Sequence, residues 1–115
     1  MKDISCFSKI YVASHAVDFR KQSKGLSLIV KHSMNLSPTA DKSLFVFFNR
    51  SRRSVRFLYW DQTGFAMWGK VLEKDRFRWK YLRNEKYREI LARELRWLLQ
   101  GADISKINFH QRVVF

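Results

Sequence analysis

The chain has 115 residues, 46% of them hydrophobic, and its 23 Lys and Arg against 10 Asp and Glu give a formal charge of +13. That length fits one domain; ten Phe and four Trp supply a core that a disordered basic tail lacks, and the single Cys6 excludes an intrachain disulfide or a multi-cysteine metal site. No run approaches the roughly 20 apolar residues of a membrane helix, and the polar, mixed-charge N-terminus has no secretory pattern, so a cytoplasmic protein without a membrane partner is expected.

Residues 1–9 carry no strong pattern and are expected to be loose. Ile10–Ala13 (IYVA) is short, apolar and β-rich, and reads as a first strand. Asp18 stands where a helix N-cap belongs, ahead of a stripe formed by Phe19, Leu26, Ile29, Val30 and Met34. Gly25 inside that helix costs up to about 1 kcal/mol relative to Ala, which suggests close packing there. The helix should fade near Asn35, because Pro38 biases Ser37 away from helical geometry.

A strand meander follows. Leu44–Phe48 (LFVFF) is continuously apolar, as a central strand covered on both faces would be. After the polar turn Asn49–Ser54, Val55–Trp60 reads as a strand, Asp61–Gly64 as a turn and Phe65–Leu72 as the next strand. Beyond the turn Glu73–Arg76, the apolar Phe77, Trp79 and Tyr81 alternate with Arg78 and Lys80, the period of a strand with one polar face. Three short connections in succession predict antiparallel neighbours. If Trp60 pairs with Phe65, both faces of this hairpin are apolar; helices cover one, and the other needs the tail, a second copy or a partner.

Tyr87, Ile90, Leu91, Leu95, Leu98 and Leu99 then mark a second amphipathic helix, with Gly101 as its C-terminal cap. Residues 104–115 form a tail that either packs back or meets a partner. The expected architecture is one α+β domain over residues 10–103: an antiparallel meander of about four to five strands packed with two amphipathic helices.

A catalytic centre is not evident. Asp18, Asp41, Asp61, Glu73, Asp75 and Asp103 show no metal-ligand spacing, and His15, His32 and His110 are isolated. The four glycines never cluster into a phosphate loop. No enzyme, cofactor or metal is expected.

The basic residues are unevenly spread. Between Arg50 and Arg96 lie fourteen Lys and Arg against six acids. Arg50, Arg52, Arg53 and Arg56 crowd one turn and its flank, where they could reach a phosphate backbone without disturbing the core. Lys70, Lys74, Arg76, Arg78 and Lys80 form a second cluster. The plainer alternative is that these are solvated loop charges. Trp60, Trp68 and Trp79 could stack on unpaired bases if exposed, although aromatics on apolar strands are more often core.

The order of motifs resembles the second-reading-frame accessory protein, often called TnpB, of insertion-sequence family 66. The likeness runs from about Ile10 to Asp103. Ala16–Lys21 (AVDFRK) with Gly25 and Leu26 is similar to the family's opening TDMRKGFDGL. Leu44–Arg50 (LFVFFNR) with its basic turn is the second match. The most specific is Leu58–Trp79, where LYWDQTGFAMWGKVLEKDRFRW follows the family's WDGDGF…K.LE.GRF.W. Positions that coincide with the family pattern are Asp18, Arg20, Lys21, Arg50, Trp60, Asp61, Gly64, Lys70, Glu73, Arg76 and Trp79. Ser23 and Lys24 depart from it, as do Lys80, where a proline is common, and Lys74-Asp75, where a basic-Gly turn is usual. A much longer nuclease of other transposons shares the name, and this chain is too short to be that protein.

The resemblance implies an accessory role beside a transposase encoded by the same element. With the charge, it leads to the expectation of a non-catalytic protein whose partners are DNA, in particular the element's ends, and that transposase. The DNA-facing candidates are Arg20, Lys21, Arg50, Arg52, Arg53, Arg56, Lys70, Lys74, Arg76, Arg78 and Lys80. The rival expectation is a subunit that docks on the transposase without recognising DNA itself. Oligomeric state is left open by the sequence.

Overall fold

Every residue of Ser43–Phe48 is buried, and this strand is the middle of a five-stranded sheet. The computed structural model describes residues 3–80 and 83–100. Its strands are β1 (Lys9–Ala13), β2 (Ser43–Phe48), β3 (Ser54–Asp61), β4 (Gly64–Val71) and β5 (Tyr87–Ile90), in the spatial order β4-β3-β2-β1-β5. The fold class is the expected α+β, but the sheet is mixed. β1 and β2 run parallel, Lys9 beside Ser43 and Val12 beside Val46, while the other three pairs are antiparallel. A parallel pair needs a crossover, and α1 (Ser23–Leu28), continued by a π-helical turn (Ile29–Ser33), supplies it.

Side-chain alternation gives the sheet two apolar faces. Ile10, Val12, Leu44, Val46, Phe48, Val55 and Phe57 share one with Leu95 and Leu98 of α2 (Ala92–Leu99). Phe45, Phe47 and Leu58 share the other with Leu26, Val30 and Met34. The two helices therefore lie on opposite faces, which corrects the expectation that they cover only one, and the sheet stays open at β4, where Met67, Trp68 and Val71 are exposed. Each fully buried Leu or Phe contributes about 1.5–3 kcal/mol.

The first helix begins later than its apolar stripe predicts. The Asp18 carboxylate accepts the Arg20 backbone N–H at 2.9 Å and is not the N-cap; that position is Gln22. An Asp that bonds the backbone two residues ahead offers a turn in competition with the helix. The helix ends as expected, with Asn35 in the left-handed region at φ 56°.

The β3–β4 hairpin has the predicted register, Trp60 opposite Phe65, with their rings edge to face at 5.0 Å. The third hairpin does not form. Phe77 and Trp79 are buried and Arg78 and Lys80 exposed, so the alternation holds, but 77–80 joins no ladder. It is a strap across the α2 face, anchored by Phe77 N–H on the Arg52 carbonyl and by Trp79 stacked on Phe48 at 6.1 Å. Tyr81 lies outside the described residues.

The second helix is also shorter than predicted, because Tyr87–Ile90 forms β5 against the free edge of β1. Tyr87 and Ile90 are three apart, which would put them on one side of a helix; on a strand they reach opposite faces. Ile90 packs in the α2 cluster, and Tyr87 meets Tyr11 edge to face at 5.2 Å on the other side. Helix α2 then starts with the Glu94 carboxylate accepting the Leu91 N–H at 2.7 Å. The predicted Gly101 cap and the 104–115 tail lie outside the described residues.

Candidate nucleic-acid interface

Sheet topology concentrates the charge. β1 and β2 are parallel, β3 returns from β2 and β5 runs against β1, so the connections 14–22, 49–53 and 72–86 all leave or enter one end of the sheet. Ser14 N–H on the Lys86 carbonyl and Leu72 N–H on the Arg53 carbonyl tie them together there. These connections hold eleven basic residues (Arg20, Lys21, Arg50, Arg52, Arg53, Lys74, Arg76, Arg78, Lys80, Arg83 and Lys86) against Asp18, Glu73, Asp75 and Glu85. The connections 34–42 and 62–63 at the other end carry only Asp41 and Lys42.

The arginines of the 49–56 cluster divide by orientation. Arg52 is half-buried with φ 61°, and its Nη1 donates to the Trp79 carbonyl at 3.1 Å. Its own carbonyl accepts Phe77 N–H at 2.7 Å, so Arg52 clamps the strap from both ends of the residue. Arg56 points the other way from the sheet plane, donates Nη1 to the Lys21 carbonyl at 3.0 Å and lies 4.8 Å from the Phe19 ring centre. It pins the 18–21 loop to β3. Arg50 and Arg53, by contrast, are exposed, as are Arg20, Lys21, Lys70, Lys74, Arg76, Arg78 and Lys80.

An open groove of about 680 Å³ separates the Ala16–Arg20 segment from Asn49–Ser51, which brings the first and second family-like stretches face to face. Val17 N–H on the Phe48 carbonyl at 3.0 Å fixes one wall to the other. Arg20 forks onto Asp18 through Nε and Nη2, the shortest contact 2.7 Å. Those bonds, with the Arg20 backbone N–H, hold the Asp18 carboxyl at about 2, below its usual 3.8, and raise the Arg20 guanidinium. Asp18 is thus neutralised in place, and Arg50 leaves the groove net positive. Gly25 explains itself here: a Cβ on it would stand 2.9 Å from Lys21 Cβ, so glycine makes room for the loop.

The aromatic candidates separate as well. Trp79 is 1% exposed inside the core and is withdrawn from any stacking role; its alternation with Arg78 and Lys80 marks the inward side of the strap. Trp60 is half-buried beside the 61–64 turn, at the end away from the basic loops. Trp68 is 41% exposed in mid-strand, its ring 5.1 Å from Phe57. Lys86, absent from the sequence candidates, is exposed at the basic end because β5 pairs with β1. No local signal marks it, since its neighbourhood reads as helix.

Among the described residues, no group of three His, Cys, Asp or Glu could hold a metal ion, and no helix is long and apolar enough to cross a membrane. No curated protein and no solved structure matches the chain significantly. A family model described as IS66 Orf2-like protein matches residues 8–109, which takes in β1 through α2 and the whole basic end. The chain belongs to that family, accessory proteins of insertion-sequence transposition.

Proposed function

We propose that the protein binds DNA through the basic end of its sheet, serving transposition as a non-catalytic accessory protein in the cytoplasm, with the element's ends as the target. The observation that carries this reading is the convergence of three separate connections, with eleven basic residues against four acidic ones, on one end of the sheet. Arg20, Lys21, Arg50, Arg53, Lys74, Arg76, Arg78 and Lys80 would face phosphates, with Lys70 at the end of β4 beside them. Arginine suits that task because its planar fork pairs two oxygens of a phosphate at once. Arg52 and Arg56 would act indirectly, by holding the strap and the 18–21 loop in place.

Fluorescence anisotropy with duplexes of the element's terminal repeats and scrambled duplexes, over a series of salt concentrations, tests this. Binding should weaken steeply with salt, the logarithmic slope growing by about 0.9 for each phosphate contact. Tighter binding to the terminal repeats would support end recognition. Equal binding would leave a non-specific clamp whose selectivity lies in the transposase. No binding at moderate salt defeats the proposal.

A second reading, docking on the transposase, is favoured by a mostly apolar pocket of about 210 Å³ behind the groove. Val17, Ile29 and Met34 line it, and its charged lining is Lys21 and Lys86 against Asp18. An apolar side chain on an acidic segment would suit it. Co-purification with the transposase after nuclease treatment supports this reading; its loss under the same treatment counts against it.

A further inference from the structure

The two edges of the sheet are unlike. β5 has four residues, carries Arg88 and Glu89 at its centre and leads within one residue into α2. Short, charged edges of this kind resist pairing with another chain. β4 has eight residues, no proline, and Lys70 as its only charge. Met67 is 38% exposed, Trp68 41% and Val71 70%. β3 occupies one side of its backbone, and among the described residues no strand pairs with the other. Alternate residues of an antiparallel strand turn their N–H and C=O groups away from the partner. β4 therefore offers a row of ladder groups flanked by apolar side chains, Met67 and Val71 on one face and Trp68 on the other.

We propose that β4 pairs antiparallel with β4 of a second copy of this chain, joining the two sheets across a two-fold axis. A free ladder edge is matched by another peptide strand, which DNA cannot supply. An acidic peptide would find only Lys70 to pair with, whereas the apolar flank suits a strand of the same composition. Two-fold pairing is also compatible with the charge. The register that sets Trp68 against its own counterpart sets Met67 against Gly69 and Lys70 against Ala66, so like charges do not meet across the strands. Antiparallel pairing sends the two basic ends in opposite directions, separated by about the strand length of roughly 27 Å. That exceeds the screening length of about 8 Å at physiological salt, so a chain of +13 can self-associate along this edge. The interface is isologous and closes as a dimer. If the basic end binds DNA as proposed above, the dimer joins two duplexes.

Sedimentation of the full chain without DNA should give twice the 13.9 kDa of one copy. Amides of 64–71 should exchange more slowly as protein concentration rises, with no such change at 87–90. Met67→Lys combined with Val71→Lys should return a monomer that keeps the circular dichroism of the parent and has a thermal midpoint independent of protein concentration. Leu91→Lys, at an exposed residue beside the β5 edge, should leave the dimer intact. A monomeric mass at every concentration overturns the proposal, as does a dimer whose 64–71 amides exchange at a concentration-independent rate. Should the double variant unfold, exchange in the unsubstituted protein decides. A dimer that binds no DNA leaves the strand pairing standing and removes the functional reading. A dimer that binds DNA without retaining a second, labelled duplex removes only the joining of duplexes.

Discussion

Arg52 and Arg53 are neighbours in the chain and use their charge in opposite ways. Arg52 turns inward in the left-handed region and bonds the Trp79 carbonyl, while Arg53 is exposed at the mouth of the basic end. Arg56 and Arg50 repeat the contrast, one fixed on the Lys21 carbonyl and the Phe19 ring, the other open to the groove. A basic cluster in a sequence is therefore not one functional unit. Roughly half of this one braces the segments that carry the rest. Reversing the charges of the whole cluster would confuse loss of contact with loss of fold, so the two kinds of arginine must be separated by experiment.

The largest stability effect is expected at Arg52. Arg52→Ala removes a charge-assisted hydrogen bond from a half-buried carbonyl and should lower stability by about 1.5–3 kcal/mol in urea denaturation. DNA affinity measured on the folded fraction should change little. An unchanged denaturation midpoint would show that the strap does not depend on this clamp. The outward pair should behave inversely. Arg50→Glu with Arg53→Glu should weaken DNA binding about 10- to 100-fold and reduce the salt slope by about 2, since each contributes a phosphate contact. Its unfolding free energy should stay within about 0.5 kcal/mol of the parent, as surface substitutions do. A large loss of stability with unaltered binding would erase the contrast.

Arg56→Ala is expected to be intermediate. Loss of the Lys21 carbonyl bond and the Phe19 contact should cost about 0.5–1.5 kcal/mol and weaken DNA binding severalfold, by releasing the 18–21 loop. Hydrogen exchange should rise at 18–21 and not at 77–80; the reverse pattern would assign Arg56 to the strap. The smallest effect belongs to Asp18. Its folded carboxyl sits near 2 against 3.8 unfolded, so its stabilisation is complete above the unfolded value and disappears as pH falls through about 2. Asp18→Asn should abolish that acid-limb dependence in a pH titration of stability. It should also free the Arg20 fork and strengthen DNA binding slightly. Weaker binding would mean that Asp18 is needed to aim Arg20.

Much of the candidate site was legible because its ingredients are local. The basic turn at 49–54, the exposed charges of 74–80 and the pairing of Trp60 with Phe65 follow from turn chemistry and two-residue alternation. The inward direction of Arg52 and Arg56 was not legible. Both depend on carbonyls that are far away in sequence, at Trp79 and Lys21. Lys86 was missed for the same reason, since the 87–90 stretch fits a helical period until β1 offers it an edge. Trp79 illustrates the converse: its alternation with Arg78 and Lys80 marked the inward side correctly, but the strand pairing that this period implies did not form.

The sequence by itself determined the family, the apolar central strand, the β3–β4 register, the end of the first crossover helix and the excess of positive charge. These rest on neighbours within a few residues or on composition. Tertiary structure decided that β1 lies parallel to β2, that Tyr87–Ile90 is a strand, that the helices take opposite faces, and that three basic connections meet at one end. Each of those outcomes is a choice among distant partners. Local propensity differences of a fraction of a kcal/mol per residue are outweighed there by about 1.5–3 kcal/mol for every large side chain the chosen partner buries.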